Sequence, residues 1–425
     1  MAYYYLLLRF TIWLYWILII KNYENYKMRI GIFSEAYLPL ISGVVTSVVN
    51  LKEGLEALGH EVYVITPIPS KDKFENDPSV IRIPGWVIPR KSLKGFRLVP
   101  FVKRYVRKMR KLKLDVVHIH TEFSMGKLGL AVAKKERIPS VYTLHTSYQD
   151  YTHYVSKLLT RFAPNAAKKL AGKINNQYTK NCHMTIVPTK KIYDKMIRLK
   201  HDGEFTIIPS GINLKPFYKS SYTSEQVQAL KDKLGIRNDE FVAILVARIA
   251  KEKSIGDLVE AFVEFYKSYP NSRFIIIGDG PDKPVLDKLI DSKKASKYIN
   301  TLGFVKNAEV GLYYQIADVF LNASTTETQG LTYVEALAAS LPIIVRYDDV
   351  FDAFVEDGKN GIFFNKNEEL VKHLIHIRQN PEILGTLSKN AEISTKPYAK
   401  EVYAKSCETL YLDLIDKNNK KLNKK

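Results

Sequence analysis

From Met28 onward, short apolar runs alternate with stretches of helical periodicity, and that alternation admits few folds. A strand, an amphipathic helix and a second strand make a βαβ unit, whose crossover forces the two strands parallel. The spacing predicts strands over Arg29–Phe33, Glu61–Ile65, Val116–Ile119, Ser140–Leu144 and Met184–Val187. The rhythm restarts with Phe241–Val246, Arg273–Ile277, Val319–Leu321 and Leu341–Val345. Between the first two strands a helix is expected over Thr46–Leu58, closed by Gly59, with Leu55 and Leu58 turned inward. In the second half, helices are expected near Ile255–Tyr266, Pro284–Lys293, Glu309–Gln315 and Thr332–Ser340.

A chain of 425 residues exceeds what one hydrophobic core usually serves, so two domains are expected. The break falls near Ile208-Pro-Ser-Gly-Ile-Asn213, where strand signals stop. The expected organisation is α/β, with Rossmann-like domains over 28–212 and 213–398 whose parallel sheets face a cleft. A closing helix over 399–416 would cross back to the first domain, and the basic stretch 417–425 would be a disordered tail. Residues 1–27 stand apart. Ala2–Ile20 is long and apolar enough to span a bilayer, interrupted only by Arg9 and Thr11. No cleavage site follows, so the stretch is either an anchor or a run ahead of a true start at Met28.

Charge narrows the class of partner. Lys and Arg number 64 against 44 Asp and Glu, a formal +20, which suits a polyanionic neighbour such as nucleic acid or an anionic bilayer. Arg90–Lys113 holds eleven of these cations and no acidic residue. Its apolar members Leu98, Phe101, Val102, Tyr105, Val106, Met109 and Leu112 recur at helical spacing. Lys103, Arg104, Arg107, Lys108, Arg110 and Lys111 fill the other sides. A basic amphipathic helix of this kind lies on an anionic membrane; the plainer reading is a domain helix facing its own sheet. No RNP-type aromatic motif or helix-turn-helix supports nucleic-acid binding. The two cysteines, Cys182 and Cys407, are too few for a disulfide scaffold and read as buried thiols of a cytosolic protein.

The chemistry-bearing residues cluster in the second half. In Glu327-Thr-Gln-Gly-Leu-Thr-Tyr-Val-Glu335, Gly330 stands where a loop turns into a helix, and the free N–H groups of a helix start suit a phosphate. Glu335 lies about one turn inside that helix, able to reach a ribose or sugar hydroxyl, and Glu327 precedes it. Arg248 and Lys253 follow a parallel strand, at the end where such sheets bind ligands, and suit a diphosphate leaving group. Gly303, Phe304 and Val305 follow another strand and let backbone approach a flat base. In the first half, Gly43 follows the first strand just before a helix, where a phosphate could meet free amides. His145 ends an apolar strand, where its imidazole would face the cleft. His118 and His120 share one face of a strand but lack an obvious third metal ligand. There is no Asp-x-Asp pair, phosphate-binding Lys loop or serine elbow, so no metal is expected in the chemistry, with Mg2+ at most a stimulant.

Together these segments resemble the family 4 retaining glycosyltransferases of GT-B fold, over nearly everything from Met28 to Ile415. Phe33-Ser-Glu-Ala-Tyr-Leu-Pro39, Ser42-Gly-Val-Val-Thr-Ser-Val48 and the basic helix are similar to the bacterial members that glucosylate diacylglycerol from UDP-glucose. The resemblance implies that Glu327 holds the donor sugar's hydroxyls, Glu335 the ribose, and Arg248 with Lys253 the diphosphate. Gly330 and Leu331 would add their amides, Gly303 to Val305 would frame the uracil, and His145 would meet the sugar near its C6 hydroxyl. Ser254, Ser42 and the Pro-Ser-Gly-Ile-Asn213 run depart from the family's usual glycines and Pro-Asn-Gly-Val-Asp. It also implies a peripheral location on the cytoplasmic side of the membrane, with diacylglycerol and anionic phospholipid as partners. Another lipid or glycolipid acceptor, and a non-enzymatic nucleic-acid binder, are the alternatives.

Overall fold

The apolar runs become parallel strands. The computed structural model describes residues 26–40, 42–69, 77–87, 97–145, 172 and 175–424; the apolar segment Ala2–Ile20 and the residues 90–96 of the basic stretch lie outside these. The chain divides into two compact units. One runs to Ile212 and resumes at Lys400; the other is Asn213–Ala399.

In the first unit the order is β1 (Arg29–Phe33), α1 (Gly43–Ala57), β2 (Glu61–Pro67), β3 (Val80–Ile83), β4 (Trp86–Val87), β5 (Arg97–Leu98), α2 (Val106–Arg110), β6 (Val116–Ile119), α3 (Ser124–Glu136), β7 (Ser140–Thr143), β8 (Met184–Val187), α4 (Lys190–Arg198) and β9 (Phe205–Ile207). Seven strands form an all-parallel sheet, β3-β2-β1-β6-β7-β8-β9. β4 and β5 pair separately as an antiparallel ribbon. Its central strands β1 and β6 are buried almost throughout, which is why they read as apolar runs rather than alternating ones.

The second unit continues with α5 (Ser224–Leu234), β10 (Phe241–Val246), α6 (Ile255–Ser268), β11 (Ser272–Ile277), α7 (Lys283–Ser292), β12 (Ile299–Gly303), α8 (Asn307–Tyr314), β13 (Val319–Asn322), α9 (Leu331–Ala338), β14 (Ile343–Arg346), β15 (Gly361–Phe364), α10 (Asn367–Gln379) and α11 (Pro381–Ser394). Its six strands are also all parallel, ordered β12-β11-β10-β13-β14-β15. Each sheet reverses its winding once, between β1 and β6 and between β10 and β13. The carboxyl ends of those strand pairs form the crevice where open parallel sheets bind ligands.

The last helix, α12 (Lys400–Leu422), belongs to the first unit. Its Tyr403, Ala404, Cys407 and Tyr411 enter the same core as Val48, Leu51 and Leu55 of α1. At Gly54 that packing is close: a Cβ there would stand 2.6 Å from Ala404 Cβ. Both cysteines are free and buried.

Three expectations need correction. α1 begins at Gly43 and ends at Ala57, so Leu58 is its cap and stays 39% exposed while Leu55 is fully buried. The stretch from Lys417 is not a disordered tail but helical as far as Leu422, where Lys417–Asp413 and Lys420–Asp416 pairs span one turn. The basic segment is not one long helix. Leu98 sits in β5, and Phe101 has φ 52°, which breaks any helical register before it. Among its described residues only a 3-10 turn, Val102–Tyr105, and α2 are helical. Their apolar side serves the unit's own core: Met109 is buried, and Val102, Tyr105, Val106 and Leu112 pack against the same cluster.

Candidate active site

At the β10/β13 switch point of the second unit, three loops carry the predicted residues. The loop after β10 is held by its neighbours' backbone: the Ala247 amide donates to Ile277 O at 3.0 Å and the Ile249 amide to Asp279 O at 3.0 Å. Arg248, between these two, is exposed. The approach is possible because the facing residues are Gly278 and Gly280. A Cβ on Gly278 would lie 1.9 Å from Ala247 O, and one on Gly280 2.1 Å from Ile249 O. Gly278 in turn donates to Gly303 O at 2.8 Å, so the Gly303-Phe304-Val305 turn is tied to the same corner. Phe304 presents an exposed ring there.

Lys253 ends a short 3-10 turn, and Ser254 follows it with φ 47°, the left-handed conformation that glycine adopts without strain. Lys253 Nζ reaches Glu327 Oε1 at 2.5 Å. Gly330, with φ 76°, caps α9 and accepts from the Tyr333 amide at 3.2 Å, so it is the Leu331 and Thr332 amides that start the helix without an acceptor inside it. Glu335 is almost wholly buried in α9 and accepts from the Tyr314 hydroxyl at 3.2 Å. Burial pushes its carboxyl up to about 7, against the pull of the Tyr314 hydrogen bond. An ion pair, a helix start and a carboxyl poised near neutrality therefore share one sheet edge. Such an edge can hold a diphosphate by Arg248 and Lys253, and polyols by the two glutamates.

The first unit has its own edge at the β1/β6 switch point. Ser42 caps α1, accepting from the Val45 amide at 3.3 Å. Among the described residues, its chain neighbours and its own helix backbone apart, a Cβ on Gly43 would meet no atom within 4 Å. The loop after β6 is anchored on the buried Glu35. Its carboxyl accepts from the Ser124 hydroxyl at 2.9 Å, and from the Thr121 hydroxyl and Met125 amide. His145, just past β7, meets His120, just past β6, at 2.8 Å between Nε2 and Nδ1. Burial pushes the His145 imidazole down to about 4, so it is neutral at physiological pH. His118 uses its ring nitrogens on Tyr411 Oη and Thr143 Oγ1, both at 2.6 Å. Among the described residues no group of three or more His, Cys, Asp or Glu could hold a metal ion.

The second unit thus brings together Arg248, Lys253, Glu327, Gly330, Leu331, Glu335 and Gly303 to Val305, and the first unit carries Gly43 and His145. Lys103, Arg104, Arg107, Lys108, Arg110 and Lys111 lie elsewhere on the first unit, all exposed, with Arg110 paired to Glu136 at 2.7 Å. Beside them the ribbon exposes Trp86 (65%) and its cross-strand partner Leu98, and Phe101 is 77% exposed. Trp86 carries no periodic signal in the sequence. Tyr314 and His120 partner the predicted Glu335 and His145, but only the fold brings them there. Among the described residues no helix is long and apolar enough to cross a membrane.

Comparison with known proteins bears on the family and the fold. Residues 41–215 match the model described as Glycosyltransferase Family 4, and 226–394 the model described as Glycosyl transferases group 1. The chain is 32% identical over 404 residues to the alpha-monoglucosyldiacylglycerol synthase of Streptococcus pneumoniae, covering 92% of this chain and 87% of that protein. It is 26% identical to the sulfoquinovosyl transferase SQD2 of Arabidopsis thaliana, over 87% and 70% of the two chains. Among solved structures, Anabaena HepE in complex with UDP-glucose superposes with a TM-score of 0.68 at 17% identity, over 90% of this chain and 99% of that one. Sucrose-phosphate synthase from Thermosynechococcus elongatus superposes at 0.73 with 20% identity, over 92% and 100%. With two parallel α/β units, both family models matched and a relative aligned over nine-tenths of its length, the chain belongs to glycosyltransferase family 4 and has the GT-B fold.

Proposed function

We propose that this glycosyltransferase moves glucose from UDP-glucose to the 3-hydroxyl of 1,2-diacylglycerol at the cytoplasmic membrane surface, giving α-monoglucosyl-diacylglycerol with retention. The observation that carries the reading is the edge at which Lys253 pairs with Glu327 one turn ahead of the Gly330 cap and the buried Glu335. In this reading Arg248 and Lys253 neutralise the leaving diphosphate, whose charge grows in the transition state, with the Gly330 and Leu331 amides beside them. Glu327 accepts from sugar hydroxyls, Glu335 from the ribose, and Gly303 to Val305 frame the uracil. Gly43 lets the donor approach a helix start, and His145 meets the sugar near C6. Acceptor and donor meet on one face of the sugar, and the departing phosphate takes the acceptor's proton. Rate then comes from positioning and charge stabilisation rather than a protein base. No metal enters these steps.

Diacylglycerol stays in its bilayer, so the enzyme comes to it. Support for this docking is the exposed row Lys103, Arg104, Arg107, Lys108 and Lys111 beside the exposed rings of Trp86 and Phe101. Aromatic rings at headgroup depth and cations above them suit an anionic surface. The reading also rests on the pneumococcal relative, whose name specifies alpha-monoglucosyldiacylglycerol. The test offers radiolabelled UDP-sugars with diacylglycerol in mixed micelles and reads the product anomer by NMR. An α-glucosyl product is expected. Transfer to a different lipid, or a β-linked product, overturns the assignment of acceptor or of stereochemistry.

A further inference from the structure

We propose that His120 is a positioning residue that fixes the ring plane and the tautomer of His145, holding its proton on Nδ1. The period of two places His118 and His120 on one face of the strand run ending at β6. His118 is immobilised, with Tyr411 Oη and Thr143 Oγ1 at 2.6 Å on its two nitrogens. His120 lies against it, ring centroids 4.2 Å apart, and stacks on its other side with His145 at 5.0 Å and 26° between planes. His145 is therefore the end of a file of three rings that starts on the C-terminal helix.

The proton follows from what the other nitrogen of His120 lacks. His120 Nε2 is buried and has no hydrogen-bond partner among the described residues. A neutral imidazole carries one N–H, and burial holds all three rings neutral, with His118 pushed down to about 3 and His120 shifted the same way. Were Nε2 the protonated atom, a buried N–H would have no acceptor, the costlier kind of orphan. With the proton on Nδ1, only a lone pair is left bare at Nε2, and Nδ1–H donates to His145 Nε2 across 2.8 Å. An accepting Nε2 carries no proton, so that of His145 sits on Nδ1. Without His120, the His145 ring loses the donor that keeps its Nε2 unprotonated, and the Nε2–H form becomes accessible.

The catalytic consequence rests on the reading that His145 meets the donor sugar, whereas the tautomer does not. The experiment uses the full-length enzyme with 15N-labelled histidine, and long-range 1H–15N correlation reads each ring nitrogen of His145. The wild type is expected to show a protonated-type Nδ1 and an unprotonated Nε2. His120→Asn places an amide N–H where Nδ1 stood, and is expected to keep both that signature and most of kcat. His120→Gln and His120→Ala are expected to move the proton toward Nε2 and to lower kcat about tenfold or more, with the UDP Kd little changed. A wild-type His145 protonated on Nε2 overturns the proposal without any variant. So does a His120→Ala protein that keeps the Nδ1–H form. If instead His145→Ala retains full kcat while the tautomer data hold, the sugar-contact reading fails and the positioning stands.

Discussion

Lys253 and Glu327, 74 positions apart, hold each other at 2.5 Å with only 16% and 13% of their side chains exposed. Each keeps the other's charge compensated, so removing either leaves an ion poorly solvated. Lys253→Ala is expected to lower kcat by about 100-fold to 1,000-fold while UDP affinity falls far less, because charge on the diphosphate peaks in the transition state. Steady-state kinetics with calorimetric UDP titration separates the two. An effect confined to KM counts against the role.

Glu327→Ala and Glu335→Ala are each expected to cut turnover by about 100-fold or more with far-ultraviolet circular dichroism unchanged, because in the proposed roles each accepts from a donor hydroxyl at the sheet edge. Near-normal kcat in both variants would remove these residues from the site.

The Glu335 carboxyl, raised from its ordinary 4.5 to about 7, sets a pH dependence whose sign is fixed. Burial penalises its ionised form, so its cost to the folded state grows as pH rises from 4.5 through 7 and then levels off. Glu335→Gln removes that cost, and its stability relative to wild type is expected to rise between pH 5 and 8 by roughly 1–3 kcal/mol in urea titrations. Ribose hydroxyls donate better to the ionised form, so wild-type UDP binding is expected to gain from pH 6 to 8 beyond what the phosphate's own titration gives both proteins. Identical pH profiles for wild type and Gln variant would sink this. Tyr314→Phe, which takes away the donor that lowers the carboxyl, should push the profile to higher pH.

Two glycines make a contrasting pair. At Gly278, φ is 140° and an added Cβ would stand 1.9 Å from Ala247 O, so Gly278→Ala is expected to lose about 2–4 kcal/mol of stability by displacing the Arg248 loop. A Cβ on Gly43 meets no atom among the described residues beyond its own helix and chain neighbours, and Gly43→Ala should stay within about 0.5 kcal/mol of wild type yet lose kcat/KM. Urea denaturation beside kinetics checks both, and a Gly43→Ala enzyme of normal kcat/KM refutes the second.

Membrane attachment should have two separable parts. Replacing Arg104, Arg107, Lys108 and Lys111 with Gln is expected to reduce sedimentation with anionic vesicles and its salt sensitivity, since screening acts over about 8 Å at physiological ionic strength. Trp86→Ala with Phe101→Ala should reduce the salt-resistant remainder. Neither set should alter UDP binding. Equal wild-type binding to neutral and anionic vesicles would refute the electrostatic part.

The central strands were readable because a strand buried on both faces is one unbroken apolar run, as in Phe241-Val-Ala-Ile-Leu-Val246. The strands that this pattern does not reveal include β3, β9, β12 and β15, which are the four edges of the two sheets. An edge strand is half covered, so Phe205–Ile207 or Ile299–Gly303 need not be wholly apolar. At the site, Arg248, Lys253, Glu327 and Glu335 were legible through their place after strands and at a helix start. Their supports were not. Tyr314 lies 21 residues from Glu335, and His120 lies 25 from His145, with nothing local to couple them. The basic segment kept two readings for a related reason: helical spacing of apolar residues does not say which surface they meet, and Met109 enters the unit's own core.

The C-terminal helix has a consequence for how the chain is made. The second unit is contiguous, and once residue 399 has left the ribosome it holds everything its core needs. The first unit, synthesised earlier, still lacks Tyr403, Cys407 and Tyr411, which complete its core and reach His118. Until α12 is available, the older half of the protein therefore lacks part of the core that packs on α1. A chain cut after Ala399 would keep every residue of the second unit and take from the first the helix that closes its core, and that first unit is the half that carries the basic face.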